Sequence, residues 1–260
     1  RKDLFVAVFA NLAHNENRIL KISESLKAYN DRVKDHFANS NRFDGSNTQP
    51  FTQYVEGGSQ TSIWGVPSLG IDPATGEEIF IRPDGSITNT WNTNDQVVLG
   101  DTEPKIQGTF GLNATYKNLS LYMTFMYEAG GQIYNSTLRD KVEDVNVYTS
   151  NVDKRVFSER WQEPGDKARY RKLTSGVGGS IMRTRPTSRF VEDNNVLTLN
   201  SISLGYDFDA GQKWMKTIGL SMLRFEIGAN DVCRWSSVKV ERGLNYPYAR
   251  SFNFSLKAAF

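Results

Sequence analysis

Phe252, Phe254, Leu256, Ala258 and Phe260 alternate with Ser251, Asn253, Ser255, Lys257 and Ala259, so the last stretch of the chain reads as a strand with one apolar and one polar face. An aromatic residue closing such a strand in the apolar phase is the pattern expected where an outer-membrane barrel ends. The same two-residue period recurs upstream. In Gln107 to Lys117, Phe110, Leu112, Ala114 and Tyr116 oppose Thr109, Gly111, Asn113 and Thr115; in Leu119 to Glu128, Leu119, Leu121, Met123, Phe125 and Tyr127 oppose Ser120, Tyr122, Thr124, Met126 and Glu128. Only Asn118 separates these two, which predicts a tight hairpin. Val196 to Phe208 alternates through Ile202, Leu204, Tyr206 and Phe208, with Leu197 and Leu199 in the opposite phase, so a bulge or an exit from the bilayer is expected near Asn200. Ile218 to Ala229 also changes phase, and Leu4 to Ala13 is apolar on both sides, leaving its orientation open.

These six predicted strands are joined by connections that alternate in length. Long segments follow the first, third and fifth strands, whereas the joints at Asn118 and at Asp209 to Lys216 are short. Outer-membrane barrels keep short turns on the periplasmic side and long loops outside. The pattern therefore predicts an antiparallel, up-and-down, transmembrane β-barrel segment with both short joints and the C-terminus in the periplasm. On this reading the lipid-facing residues are Phe110, Leu112, Leu121, Met123, Phe125, Leu204, Phe252, Phe254 and Leu256.

The first long connection has a pattern of its own. Ile22, Leu26, Tyr29, Val33 and Phe37 recur at three- and four-residue steps with Lys27, Asp31, Arg32, Lys34 and Asp35 largely on the other side, which predicts an amphipathic helix. Such a stripe packs on its own loop or docks a partner, and the first is the expectation. Asp72-Pro-Ala-Thr-Gly76 and Arg82-Pro-Asp-Gly85 carry tight-turn residues, so Ile63 to Leu69, Glu78 to Ile81 and Ser86 to Trp91 are expected to form a small meander.

Composition agrees with the barrel although it looks hydrophilic. The mean hydropathy is −0.50 and no apolar run approaches the roughly 18 residues of a spanning helix. A barrel strand shows lipid an apolar residue only at every second position, so such chains read as polar. A net charge of +2 gives no global reason to expect nucleic acid. The lone Cys233 excludes an internal disulfide, and neither His14 nor His36 sits in a metal-binding spacing, so no catalytic, metal or cofactor site is expected and the chain is not read as an enzyme. Asn92, Asn94 and Asp95 lack the downstream Glu of a calcium loop and are read as a polar turn. Gly176-Val-Gly-Gly179 follows no clear strand and precedes no helix, which argues against a phosphate cradle.

The stretch Leu69-Gly-Ile-Asp-Pro-Ala-Thr-Gly-Glu-Glu-Ile-Phe80, followed by Leu99-Gly-Asp-Thr-Glu-Pro-Lys105 and the Phe110 to Tyr127 hairpin, resembles the C-terminal barrel region of SusC/RagA-type TonB-linked outer-membrane proteins. Arg189-Phe-Val-Glu-Asp-Asn-Asn-Val-Leu-Thr-Leu-Asn-Ser-Ile-Ser-Leu-Gly-Tyr206, Gly228-Ala-Asn-Asp231 and Arg242-Gly-Leu-Asn-Tyr-Pro-Tyr-Ala-Arg-Ser-Phe-Asn-Phe254 follow in the family's order. The resemblance implies that residues 1–260 are about the last six strands of a barrel of about 22. It further implies a plug and TonB-contacting segment elsewhere in the protein, a SusD-like surface lipoprotein as partner, and import of glycan or peptide fragments. Phe260 would then be the signal read by the barrel-assembly machinery. Six strands alone would leave two unpaired edges in lipid, so a larger barrel is expected around them.

Candidate contacts to substrate or partner are Trp64, Trp91, Trp161 and Trp235, all expected in the long connections, with Arg169 and Arg171 of the basic stretch Lys167 to Lys172. Aromatic loops stack on sugars, fill interfaces or anchor loop cores, and the sequence does not choose among these. The basic stretch, continued by Arg183, Arg185 and Arg189, reads first as a solvated face. The adjacent acids Glu77-Glu78 and Glu143-Asp144 are expected to point to opposite sides of a strand or to lie solvated on a loop. The alternative to a barrel is a soluble carbohydrate-binding or adhesin-like β-sandwich, in which the apolar faces would be buried against each other.

Overall fold

The computed structural model describes residues 3–41, 43, 45–149, 151–174, 181–209, 211–239 and 250–260. Its strands are β1 (Leu4–Ala13), β2 (Ser62–Gly65), β3 (Ser68–Ile71), β4 (Glu78–Ile81), β5 (Ile87–Thr88), β6 (Val97–Asp101), β7 (Ile106–Tyr116), β8 (Leu119–Tyr134), β9 (Val191–Phe208), β10 (Met222–Ser236) and β11 (Ser251–Ala259). The principal helix is α1 (Glu24–Asn39), and a short α2 (Lys213–Thr217) lies between β9 and β10. Two compact units share these elements, one of residues 1–15, 104–130 and 194–260, the other of 16–103 and 131–193.

The first unit is built on a six-stranded sheet in the order β1-β7-β8-β9-β10-β11, whose six strands are the six predicted ones. The pairs β1–β7, β7–β8, β9–β10 and β10–β11 are antiparallel, and in each the register sets apolar residues of one face opposite one another. Val8 pairs with Leu112 and Leu112 with Met123; Phe110 pairs with Phe125, their rings stacked at 4.9 Å. Farther along, Leu204 pairs with Ile227 and Ile227 with Phe254, while Tyr206 pairs with Phe225 and Phe225 with Leu256. None of these side chains is buried, and Phe254 is 70% exposed. In a water-soluble sheet such a face would be the core.

The opposite face is mostly polar, with an aromatic exception on the strand whose two sides are both apolar. Phe9 and Tyr122 stack at 6.1 Å, and Phe9 lies over Gly111, where a Cβ would fall 2.4 Å from its ring. Glycine there lets an aromatic on one strand reach across to another.

Two sequence expectations shift by a few residues. The bulge expected near Asn200 lies on the partner strand: β10 inserts a residue between Asn230, opposite Ser201, and Cys233, opposite Leu199, with Asp231 at φ 52°. The strand expected from Ile218 starts instead at Met222, because 213–217 are helical, and this accounts for the phase change read there.

In the second unit α1 is capped by Ser23, whose hydroxyl accepts from the Leu26 N–H at 3.3 Å, and buries Val33 and Phe37. Phe37 meets Phe51 at 5.5 Å and Trp91 at 5.3 Å, and Val66 and Phe80 complete the cluster. The apolar stripe of the helix is thus the core of its own unit rather than a free docking face. The predicted meander is β3-β4-β5, with turns closed by Gly76 N–H to the Asp72 carbonyl at 2.8 Å and Gly85 N–H to the Arg82 carbonyl at 2.9 Å. Ile63 and Trp64 instead join β2, which pairs with β6 outside the meander.

Gly76 has φ 71°, and a Cβ there would fall 2.5 Å from the Trp161 ring. Gly76→Ala is therefore expected to destabilise the turn by about 1–3 kcal/mol, since strain and a clash with a rigid indole add. Faster proteolysis within 72–77 with altered indole fluorescence would register it; an unchanged cleavage rate would refute it.

Candidate functional site

Three carboxylates and three guanidinium groups meet inside the second unit. Arg189 forks onto Glu78, with Nε to Oε1 at 2.8 Å and Nη2 to Oε2 at 2.9 Å, and Nη2 also donates to Glu143 Oε1 at 2.7 Å. Arg171 stands 3.3 Å from Glu143 Oε1 and donates to Asp144 Oδ1 at 3.0 Å and to the Met182 carbonyl. Arg160 caps backbone instead, reaching the carbonyls of Arg171 at 2.7 Å and Glu143 at 2.8 Å. Thr184 donates to Asp144 through N–H at 2.7 Å and through its hydroxyl at 2.8 Å, and the Thr187 hydroxyl donates to Glu78 at 2.6 Å.

Burial alone would raise the Glu143 carboxyl, but the charges of Arg189 and Arg171 outweigh it and hold the group below its ordinary value. For Asp144 burial, joined by the neighbouring Glu143 charge, prevails over the opposing pull of Arg171 and moves it up. Burial opposes the charge on Arg189 as well, yet Glu143 and Glu78 hold its proton well above the usual arginine value. Every acidic oxygen in the cluster thus faces donors, so the arrangement holds chain segments together and offers no free base or nucleophile.

This corrects two expectations. The pair Glu143-Asp144 is buried rather than solvated, and Arg171 and Arg189 of the basic stretch are its partners rather than parts of a solvated face. Glu77 and Glu78 do diverge as read: Glu78 points inward and Glu77 pairs with Lys172 at 3.0 Å. The partners are far apart in sequence and carry no spacing motif; the one available signal was two adjacent acids followed by closely spaced arginines.

The candidate contact residues fall into different environments. Trp91 is buried, its Nε1–H donating to the Pro186 carbonyl at 3.0 Å under the Arg185 guanidinium at 4.8 Å, and Arg171 is buried in the charge cluster. Trp161 donates to the Pro73 carbonyl at 2.9 Å and covers the Gly76 turn. Trp64 lies in β2 and Trp235 in β10, not in irregular loop, and Trp235 is 51% exposed. Arg169 is exposed and pairs with Glu192 at 3.2 Å. Asn92 accepts from the Asn94 N–H at 2.9 Å and so caps a short 3-10 turn, and among the described residues no cluster of His, Cys, Asp or Glu could hold a metal ion. Residues 176–179 lie outside the described residues.

No protein-family model matches the chain. It is similar to TonB-dependent receptor P3 of Formosa agariphila, 24% identical over 276 residues that cover 96% of this chain and 26% of the relative. TonB-dependent receptor P26 of the same organism is 24% identical over 149 residues, covering 57% of this chain and 14% of that protein. Among solved structures, the RagAB peptide transporter aligns with a TM-score of 0.73 at 20% identity, over the whole chain and 28% of its counterpart. The RagAB peptide importer in its open-open state gives 0.71 at 22%, over the whole chain and 27% of its counterpart. This chain therefore spans about a quarter of the length of its best-covered curated relative. The resemblance read from the sequence, to SusC/RagA-type TonB-linked proteins, is borne out by these similarities, and the solved structures share the fold.

Proposed function

Taking this chain as part of a SusC/RagA-type TonB-dependent receptor, we propose that it supplies wall strands and outward loops to an outer-membrane β-barrel importer. The observation that carries this reading is the unburied apolar face running across six antiparallel strands in register. A barrel places such a face against acyl chains, and its lipid-facing residues are Phe110, Leu112, Leu121, Met123, Phe125, Leu204, Phe252, Phe254 and Leu256. A soluble sandwich would bury them against a second sheet, and their exposure favours lipid.

The long connections after β1, β8 and β10 lie outside the cell, the joints at Asn118 and 209–221 and the C-terminus in the periplasm. The cargo is a peptide or glycan fragment, and the RagAB neighbours, described as peptide transporters, make peptide the first class to test. Trp235 and Arg169 are the accessible candidates for contact with cargo or with a SusD-like lipoprotein, whereas Trp91 and Arg171 act by holding the loop unit together. TonB would act through a part of the protein outside these residues, and Phe260, 90% exposed, would be read by the assembly machinery.

The sidedness is testable with a membrane-impermeant maleimide on intact cells carrying the full-length protein. On a Cys233→Ser background, Lys167→Cys is expected to label directly and Asn118→Cys only after permeabilisation. Labelling of position 118 without 167 would invert the topology and remove this reading.

A further inference from the structure

The joint between β9 and β10 is more than a turn, because α2 has three distinct sides. Met215 is fully buried. Trp214 and Ile218, four residues apart and so on one side, are 44% and 55% exposed. Lys213 and Lys216, three residues apart, are exposed as well. The helix is pinned where β10 and β11 meet, the Leu220 N–H donating to the Met215 carbonyl at 2.9 Å and the Ser221 N–H to the Ala259 carbonyl at 2.8 Å.

Trp214 continues the apolar face of the sheet. Tyr206 and Phe208 on β9 meet edge to face at 5.0 Å, and Phe208 meets Trp214 at 5.9 Å, so an aromatic ladder runs off the strand onto the helix. The β7–β8 joint lies at the same end of the sheet, since the Asp207 N–H donates to the Asn118 carbonyl at 2.9 Å. There Lys117 stands 5.5 Å above the ring of the exposed Tyr116. None of the salt bridges among the described residues involves Lys117, Lys213 or Lys216.

The geometry points to α2 as an in-plane membrane anchor, with Trp214 and Ile218 at the acyl-chain boundary and Lys213, Lys216 and Lys117 facing anionic phospholipid headgroups. This rests on the reading that the apolar face meets lipid. A tryptophan with a polar ring edge suits the interface, and lysines beside it keep their charge in the headgroup layer while their stems lie along apolar surface. Apolar residues on one side of a short helix and unpaired cations on another is the division an anionic membrane surface imposes. A turn in bulk water would gain nothing by exposing Trp214 and Ile218 next to the band.

The test uses full-length protein, cleared of other cysteines, in phosphatidylcholine vesicles with and without phosphatidylglycerol. Nitroxide labels on Asp209→Cys, Ile218→Cys and Phe254→Cys are compared by their collisions with oxygen and with a water-soluble nickel chelate. Position 254 should be shielded from nickel, 209 open to it, and 218 intermediate, with an oxygen-to-nickel collision ratio several-fold above that of 209. Lys213→Ser with Lys216→Ser should move 218 toward the value of 209 when phosphatidylglycerol is present and leave it unchanged in phosphatidylcholine alone. An aqueous 254 would overturn the membrane reading itself. A shielded 254 with 218 as open as 209 would overturn the anchor alone, and a depth at 218 indifferent to lipid charge and to both lysines would overturn the headgroup pairing.

Discussion

Arg189→Met is expected to loosen the loop unit by about 3–5 kcal/mol, the usual result of removing one partner from a buried, hydrogen-bonded ion cluster. Methionine keeps much of the volume but leaves Glu78 and Glu143, both of which now share Arg189, without their common donor. Three buried carboxylates would then be balanced by only two guanidinium charges, those of Arg171 and Arg160, which leaves an uncompensated buried negative charge. At about 1.4 kcal/mol per tenfold, backbone amides tied to the cluster, such as that of Thr184 on Asp144, should exchange roughly a hundred- to several-thousandfold faster. Exchange within threefold of the parent would show that the cluster is incidental to the unit.

The response of the same cluster to acid follows from the two shifts. Glu143 is held below its ordinary value in the folded state, so its stabilisation is present above the unfolded pKa and is lost as pH falls through the folded one. Asp144 is shifted up, so its carboxylate destabilises the fold at neutral pH and that penalty is relieved as pH falls through its raised value. Mild acid should therefore not open this cluster; exchange of the Thr184 amide should accelerate only as pH falls through the range where Glu143 takes up its proton.

What was legible in the sequence was whatever repeats locally. Strands β7, β8 and β11 alternate over nine residues or more with one side consistently apolar, so their faces could be assigned before any contact was known. The stripe of α1 and the turns at Gly76 and Gly85 are equally local, since each is set by residues within a few positions of one another. Strand β2 was missed as a separate element because four residues, Ser62–Gly65, cannot display a period, and both sides are largely buried. The charge cluster was invisible for a different reason. Glu78 and Arg189 lie 111 positions apart, and Glu143 and Arg189 lie 46 apart, so only the folded chain reveals that the acids and the basic stretch answer each other. Read singly, each is an ordinary polar loop segment. The position of α2 was lost because five residues, Lys213–Thr217, are too few to display a helical period, and Ile218 and Leu220 just beyond them alternate as a strand does.

Phe254→Arg is expected to lower the yield of folded, membrane-inserted full-length protein severely, while Asn253→Arg on the same strand leaves it nearly intact. Phe254 pairs with Ile227, which pairs with Leu204, at the middle of the apolar band. An arginine facing lipid near the bilayer midplane costs roughly 2–4 kcal/mol, whereas one on the opposite face is hydrated. Asn253 is a suitable control because it is exposed and lies on the opposite, polar side of the same strand, next to Phe254. Thr124 would be a poor one: it faces Gly111, the residue over which Phe9 lies, so an arginine there would disturb the aromatic stack as well. The readout is the fraction of heat-modifiable, faster-migrating barrel on a gel after reconstitution. Equal losses at 253 and 254 would mean that the two faces are not differently solvated, and the assignment of the apolar band to lipid would fall with them.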